Sequence, residues 1–127
     1  MGHTLPIRTY RDLEVFQEAY SAALKVSRLT KSFPQFEQLE IGRQLRKAVR
    51  SVPANIVEGW AKRASASEFK RYLQVAIGSC AETRMWLEMS KDEGYLCEKD
   101  YAELNLLYER IGARLARLWK QWTSYPR

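Results

Sequence analysis

The residues best suited to chemistry in this chain are two glutamates, Glu58 and Glu82, which stand beside the apolar stripes of two predicted helices. A facing pair of carboxylates could act as general acid and base, or hold a metal between helices. The di-iron version of such a site needs Glu-x-x-His repeats, whereas the single histidine, His3, lies outside every predicted helix. The sequence also has no glycine-rich phosphate loop and no histidine placed to activate a serine or cysteine. We therefore predict no catalytic residue, no metal, no cofactor and no enzymatic activity.

The two glutamates belong to a larger polar motif that favours a structural interpretation. On the second helix Ser51, Asn55, Glu58 and Lys62 recur at spacings of four, three and four, so they share a face, and Ser79, Glu82 and Trp86 do the same on the third. We expect these groups to hydrogen-bond between helices, or to a backbone carbonyl that Pro53 leaves without its usual donor. The predicted structural motif consists of Ser51, Pro53, Asn55, Glu58, Gly59, Ser79 and Glu82.

Positive charge is concentrated in residues 43–71. This segment has eight basic residues against two acids, which accounts for the whole formal net charge of +6, since the rest of the chain has thirteen residues of each sign. Such a segment attracts polyanions, with nucleic acid first and an anionic membrane second, unless it is an ordinary solvated helix face. The candidate nucleic-acid-binding residues are Arg43, Arg46, Lys47, Arg50, Lys62, Arg63, Lys70 and Arg71.

Hydrophobic periodicity predicts that helices carry these residues, except Lys62 and Arg63, which lie past the probable end of the second helix. Apolar residues recur every three or four positions in four segments, and no segment alternates with the period of two that a strand requires. The second helix is predicted from about residue 37 to beyond residue 58, and the third from the capping box Ser65-x-x-Glu68 to Gly94. The predicted core positions are Leu13, Phe16, Tyr20, Ala23, Leu24, Leu45, Val49, Val52, Ile56, Phe69, Leu73, Ala76, Cys80, Thr83, Leu87, Tyr101, Leu104, Tyr108, Ile111, Leu115, Leu118 and Trp122.

Four long helices joined by short connections predict an all-α fold, an antiparallel up-and-down four-helix bundle. Pro53 lies inside the second apolar stripe and removes a hydrogen bond to the Val49 carbonyl, which costs roughly 3 kcal/mol in a straight helix. The second helix is therefore expected to kink at Pro53. A chain of 127 residues, 46% of them hydrophobic, is expected to form a single domain, 1–127, with irregular tails at 1–11 and 123–127.

Nothing in the sequence indicates secretion or membrane insertion. The N-terminus has no signal-peptide pattern, and no apolar run approaches the roughly 18 residues needed to span a bilayer. Cys80 and Cys97 lack the CxxC spacing of a redox or metal motif, so we predict reduced thiols, with Cys80 in the core. The protein is expected to be cytoplasmic and to have no membrane partner.

Several segments together resemble one known family. Two changes from the usual pattern of that family are conservative: Val57 stands where an alanine is typical, and Lys47 stands where a second arginine is typical. The segments that carry the resemblance are Leu13 to Ala19, Ser32 to Pro34, Gln44 to Ala48, Ser51 to Gly59, Glu68 with Phe69, Gly78 with Ser79 and Glu82, and Gly94 to Leu96. In these features the chain resembles the 23S rRNA intervening-sequence protein family, the four-helix bundle proteins.

The resemblance implies a bacterial four-helix bundle that assembles as a ring-like homopentamer and brings no catalytic residues. A related accessory protein of diversity-generating retroelements is thought to bind nucleic acid, so the resemblance also implies RNA or DNA as a partner. Two hypotheses follow. The protein is either a non-enzymatic oligomeric scaffold that binds nucleic acid without sequence specificity, or a protein-protein adaptor without nucleic-acid binding. For the second, contact surfaces would be marked by Tyr72, Trp86, Trp119 and Trp122, which otherwise belong to the core or to a self-assembly interface.

Overall fold

The computed structural model describes residues 7–122 of the chain. Within that range there are four α-helices and no strand, which confirms the predicted all-α fold with four helices. The helices are α1 (Glu14–Leu29), α2 (Ile41–Ala61), α3 (Ala66–Asp92) and α4 (Glu98–Gln121), and short 3-10 helices cover Tyr10–Asp12, Thr30–Ser32 and Gln35–Glu37. The second helix thus begins about four residues later than predicted, after a 3-10 turn.

Each helix packs against the next one, and α1 also contacts α4, so the four helices enclose a common core. Along the α1 and α4 contact, Glu14 pairs with Arg114 and Glu18 pairs with Arg110, so the numbers rise along one helix as they fall along the other. The contacts between consecutive helices show the same reversal: Ser51 meets Ser79 whereas Gly59 lies beside Phe69, and Arg84 meets Asn105 whereas Cys80 lies beside Gly112. Neighbouring helices therefore run in opposite directions.

The core consists mainly of the predicted apolar stripes. The α2 stripe is completely buried at Leu45, Val49, Val52 and Ile56, and Cys80 is buried as predicted. Burial raises the pKa of the Cys80 thiol to about 12, so this group is an uncharged core side chain.

The prediction for α1 is wrong at two positions. Tyr20 and Leu24 are 47% and 40% exposed, and their places in the core are taken by the small residues Ala19 and Ala22 and by Val26. Small side chains on the inner face allow the backbone of α1 to lie close to its neighbours. The larger Tyr20 and Leu24 consequently face the boundary with α2.

Both predicted ends of α3 are helix ends in the structure, although the N-terminal cap is only half formed. The Ser65 hydroxyl accepts a hydrogen bond from the Glu68 backbone N–H at 3.3 Å, but the Glu68 carboxylate bonds to Arg71 instead of reaching back. At the other end Gly94 has a positive φ of 87°, and the N–H of Tyr95 bonds to the Ser90 carbonyl in a Schellman arrangement. A glycine suits this left-handed position.

The α2 helix continues across Pro53 from Ile41 to Ala61. The bend of its axis that was expected at Pro53 stays a prediction, as does the single-domain organisation. Part of the expected N-terminal tail is regular, because Thr9 caps the 3-10 helix Tyr10–Asp12 with a reciprocal capping box. The expected tail 123–127 lies outside the described residues.

None of the helices within residues 7–122 combines the length and the apolar character needed to cross a bilayer.

Gly59 lies where α2 comes closest to α3. A Cβ atom there would lie 2.8 Å from the Tyr72 Cβ and 3.0 Å from a Phe69 ring carbon, whereas a Cβ at Gly78 would meet nothing within 4 Å. We expect Gly59→Ala to lower the free energy of unfolding by about 1–3 kcal/mol, because the two helices must separate. Gly78→Ala should be neutral or stabilising by up to about 1 kcal/mol, since alanine is the better helix former. Urea denaturation measures the free energy of unfolding of both variants. Equal effects of the two substitutions would contradict the close-packing explanation.

Candidate nucleic-acid interface

The polar motif joins α2 to α3 through serine and asparagine. The hydroxyls of Ser51 and Ser79 lie 2.7 Å apart across the two helices. The Asn55 amide nitrogen donates to the Ser51 carbonyl at 2.8 Å and to the Ser51 hydroxyl at 3.0 Å. Ser79 is buried and the other two are half-buried, so this small network satisfies polar groups inside the helix contact.

The structure differs from the prediction at the two glutamates. Glu58 is exposed, and it forms no hydrogen bond or ion pair with any residue in the described part of the chain. Glu82 is also exposed and accepts a hydrogen bond from the Trp86 indole N–H at 3.0 Å, within the same helix. Water solvates exposed carboxylates well, so neither side chain needs a partner on a facing helix. The two do not form an interhelical pair.

Among residues 7–122, no three His, Cys, Asp or Glu side chains are grouped so that they could hold a metal ion. His3 lies outside this range.

Three of the eight candidate arginines and lysines are committed to contacts within the bundle. Arg46 donates to the Thr30 hydroxyl at 3.0 Å and to the Gln38 carbonyl at 2.7 Å, so it fastens the connection between α1 and α2. Arg63 donates to the Trp60 carbonyl at 3.0 Å and stacks on the Trp60 ring, with its guanidinium 4.4 Å from the ring centre. Arg50 reaches the Ser27 hydroxyl at 3.2 Å but remains exposed.

Three others lie over aromatic rings near the opposite end of α2. The Lys62 ammonium donates to the Tyr72 hydroxyl at 3.1 Å, which raises the pKa of Lys62 and lowers that of Tyr72. Arg71 covers the other part of the same ring and also pairs with Glu68 at 3.2 Å. Lys70 lies 5.0 Å from the centre of the Trp119 ring. These cations are exposed or half-buried but already have local partners.

The last two of the eight candidate cations are Arg43 and Lys47. Both are exposed, and neither forms a hydrogen bond, ion pair or ring contact with another described residue. Spacings of four and three put Arg43, Lys47 and Arg50 on one line along the outer surface of α2. We name these three residues the α2 row. The structure thus reduces a segment of eight cations to a row of three, in which Arg43 and Lys47 have no partner among the described residues and Arg50 has one exposed hydrogen bond to Ser27.

A groove between α1 and α2 borders the α2 row. It has a volume of about 360 Å³, and we name it the α1–α2 groove. Sequence reasoning missed this feature because it assigned Tyr20 and Leu24 to the core; the alanines at positions 19, 22 and 23, one residue away from them, were the available signal. Its lining includes Tyr10, Arg11, Phe16, Tyr20, Leu24, Arg50, Pro53 and Val57.

In the described part of the chain, four helices around one core with an outward basic row define a small all-α protein of the four-helix class. The chain belongs to the 23S rRNA-intervening sequence protein family, whose sequence pattern matches residues 11–117. This confirms the resemblance seen in the sequence.

Among solved structures, the chain is similar to a crystal structure of a protein of unknown function from the S23 ribosomal protein family of Bacteroides thetaiotaomicron. The TM-score is 0.73 at 24% sequence identity, and the alignment covers 84% of this chain and 99% of that one. At this level of identity the similarity shows a shared fold. No match was found among curated proteins.

The serine bridge and the exposed glutamate make a matched test of the polar motif. Ser79→Ala removes one half of the interhelical hydrogen bond and should lower the free energy of unfolding by about 0.5–1.5 kcal/mol. Glu58→Ala removes an exposed side chain without a partner and should change it by less than about 0.5 kcal/mol. Thermal and urea denaturation of both variants measure the difference. A larger loss for Glu58→Ala than for Ser79→Ala would show that the carboxylate has a structural role.

Proposed function

We propose that this protein is a non-enzymatic, oligomeric scaffold of the bacterial cytoplasm that binds nucleic acid through phosphate contacts and does not read sequence. The observation that carries the proposal is the α2 row, in which Arg43 and Lys47 are exposed and have no partner among the described residues. Residues 43–71 also contain the whole excess of positive charge. The family description names an intervening sequence of 23S rRNA, so RNA is the first polyanion to test.

The geometry of the α2 row suits a chain of phosphates. Seven residues of helix separate Arg43 from Arg50, a rise of roughly 10 Å, with Lys47 between them. Lysine and arginine on an exposed helix surface make contacts to phosphate oxygens that carry no base information. No acidic side chain lies on this line between Arg43 and Arg50, although Glu37, Glu40 and Glu93 line the same surface depression as Arg43.

Oligomer formation is supported by apolar side chains that the single chain leaves exposed. Phe36 and Leu39, in the connection between α1 and α2, are 71% and 63% exposed, and Met89 on α3 is 42% exposed. Leu39 and Met89 border one surface depression together with Trp86, and the polar side chains of Glu37, Glu40, Arg43, Gln44 and Glu93 line it as well. Exposed apolar groups that lie together favour a protein interface. We infer that this surface joins copies of the chain, with a homopentamer as the assembly.

The same surface supports the second candidate, an adaptor that binds another protein. In that case Leu39 and Met89 would contact a different chain, and the protein would bind no nucleic acid. The two candidates differ in what the α2 row does, so they separate in a binding assay.

Charge reversal in the α2 row tests nucleic-acid binding. Arg43→Glu with Lys47→Glu should abolish most retardation of a short RNA and a duplex DNA. The slope of log affinity against log salt should fall by about 0.9 for each phosphate that the variant no longer neutralises. Arg46 is unsuitable for this test because it fastens the α1–α2 connection.

The control for this experiment carries the same change in net charge elsewhere. Lys99 and Lys120 are exposed on α4, outside residues 43–71. Lys99→Glu with Lys120→Glu should leave most of the affinity intact. If the wild type retards neither nucleic acid at about 50 mM salt, the proposal fails and the adaptor function replaces it.

Two exposed leucines test the assembly. Five copies of a 14.9 kDa chain have a mass of about 75 kDa, which light scattering coupled to size exclusion measures. Leu39→Glu should lower this mass, because a charge would be buried at the interface without a partner. Leu106→Glu, at a site on α4 with similar exposure of 57%, should not. A wild-type mass near 15 kDa at micromolar concentration would contradict the oligomer.

A further inference from the structure

The α1–α2 groove has an apolar floor. Its base is formed by Pro53 and Phe16, which are both buried, and by Val57, which is half-buried. Leu24 forms part of the wall and is 40% exposed. The volume of about 360 Å³ lies at the lower end of the range for small-ligand sites, roughly 300–1,000 Å³. The groove therefore offers room for one flat, mainly apolar group.

A row of stacked aromatic rings leads into the groove from α1. Tyr10 meets Phe16 edge to face with ring centres 4.8 Å apart, and Phe16 is stacked on Tyr20 at 5.7 Å and an interplanar angle of 29°. Tyr20 is the outermost ring and is 47% exposed. An exposed ring that is held by stacking from behind presents a fixed surface to another flat ring.

Two arginines border the same groove. The Arg11 guanidinium lies 5.5 Å from the centre of the Tyr10 ring and 5.9 Å from that of Phe16, and Arg50 crosses from α2 to the Ser27 hydroxyl. Both side chains are exposed, and neither has an acidic partner within the described residues. Arg50 is also the last member of the α2 row. A planar apolar surface thus directly adjoins a line of cations.

From this juxtaposition we infer that the α1–α2 groove holds an unpaired base of a single-stranded nucleic acid, stacked on Tyr20, while Arg50 and Arg11 contact its neighbouring phosphates. Aromatic platforms beside a basic track are the means by which proteins bind single strands without sequence preference, because every base has a flat π face. In a duplex, both faces of each base are already covered by its neighbours. The inference rests on the proposed function and adds to it a preference for single strands.

The charge of the groove argues against an apolar protein segment as its occupant. An apolar helix offers no anion to Arg11 and Arg50 at the edge of the contact, whereas a nucleotide supplies both a flat base and an anion.

The experiment compares strands by fluorescence anisotropy at about 50 mM salt, using a labelled RNA of about 12 nucleotides, its duplex, and the same strand without bases. Tyr20→Ala should weaken binding of the single strand by about 5- to 150-fold and leave the duplex within about twofold. The strand without bases should bind the wild type and Tyr20→Ala with the same affinity. That affinity should equal the weak affinity of the normal single strand for Tyr20→Ala. Tyr20→Trp should keep the preference.

A matched control is Tyr101→Ala, since Tyr101 is a half-buried tyrosine on α4 whose ring also lies beside a cation, Lys91, at 4.5 Å. This variant should bind all strands like the wild type. Equal binding of single strand and duplex by the wild type, or an equal loss for both in Tyr20→Ala, would overturn the groove inference and leave phosphate binding standing. Competition by free adenosine monophosphate as effective as that of the strand would assign the groove to a nucleotide instead. A wild type that binds none of the strands would remove the proposed function as well.

Discussion

The close approach of α2 to α3 determines how the rest of the molecule is presented. At Gly59 the missing side chain lets the α2 backbone lie against Tyr72 and Phe69, and about 12 Å away along the helix the hydroxyls of Ser51 and Ser79 meet. A helix held at two levels on one side cannot rotate about its axis. The α2 row, which lies beside that contact on the outer surface of the helix, is therefore held toward solvent.

On its other side α2 is fastened by a cation rather than by close packing. Arg46 bonds to Thr30 and to the Gln38 carbonyl, at the end of α1 and in the connection that follows. Toward the other end of α1, Tyr20 and Leu24 stand out because the alanines beside them are buried. The α1–α2 groove is the space that remains between these two helices. It lies next to the α2 row because α2 is attached to α3 by close packing and to α1 through Arg46.

Most of the fold could be predicted from the sequence, because spacing of apolar residues, a serine cap and a terminal glycine each act locally. The sequence could not predict which charged side chains are tied into the bundle and which are exposed. Arg46 and Lys47 are neighbours in the sequence, yet one is tied into the bundle and the other is exposed, and only the positions of Thr30 and Gln38 decide this. For the same reason Glu58 was assigned a partner that the structure does not provide, since its distance from facing helices depends on the tertiary packing.

The partners of the bound arginines have a kinetic consequence. Arg46 donates to the neutral oxygens of a hydroxyl and of a backbone carbonyl, so its charge is retained rather than neutralised, unlike that of Arg71 beside Glu68. Its potential extends over a Debye length of about 8–10 Å. This side chain would therefore speed the diffusional arrival of a polyanion, and its contribution to the association rate would fade as ionic strength rises.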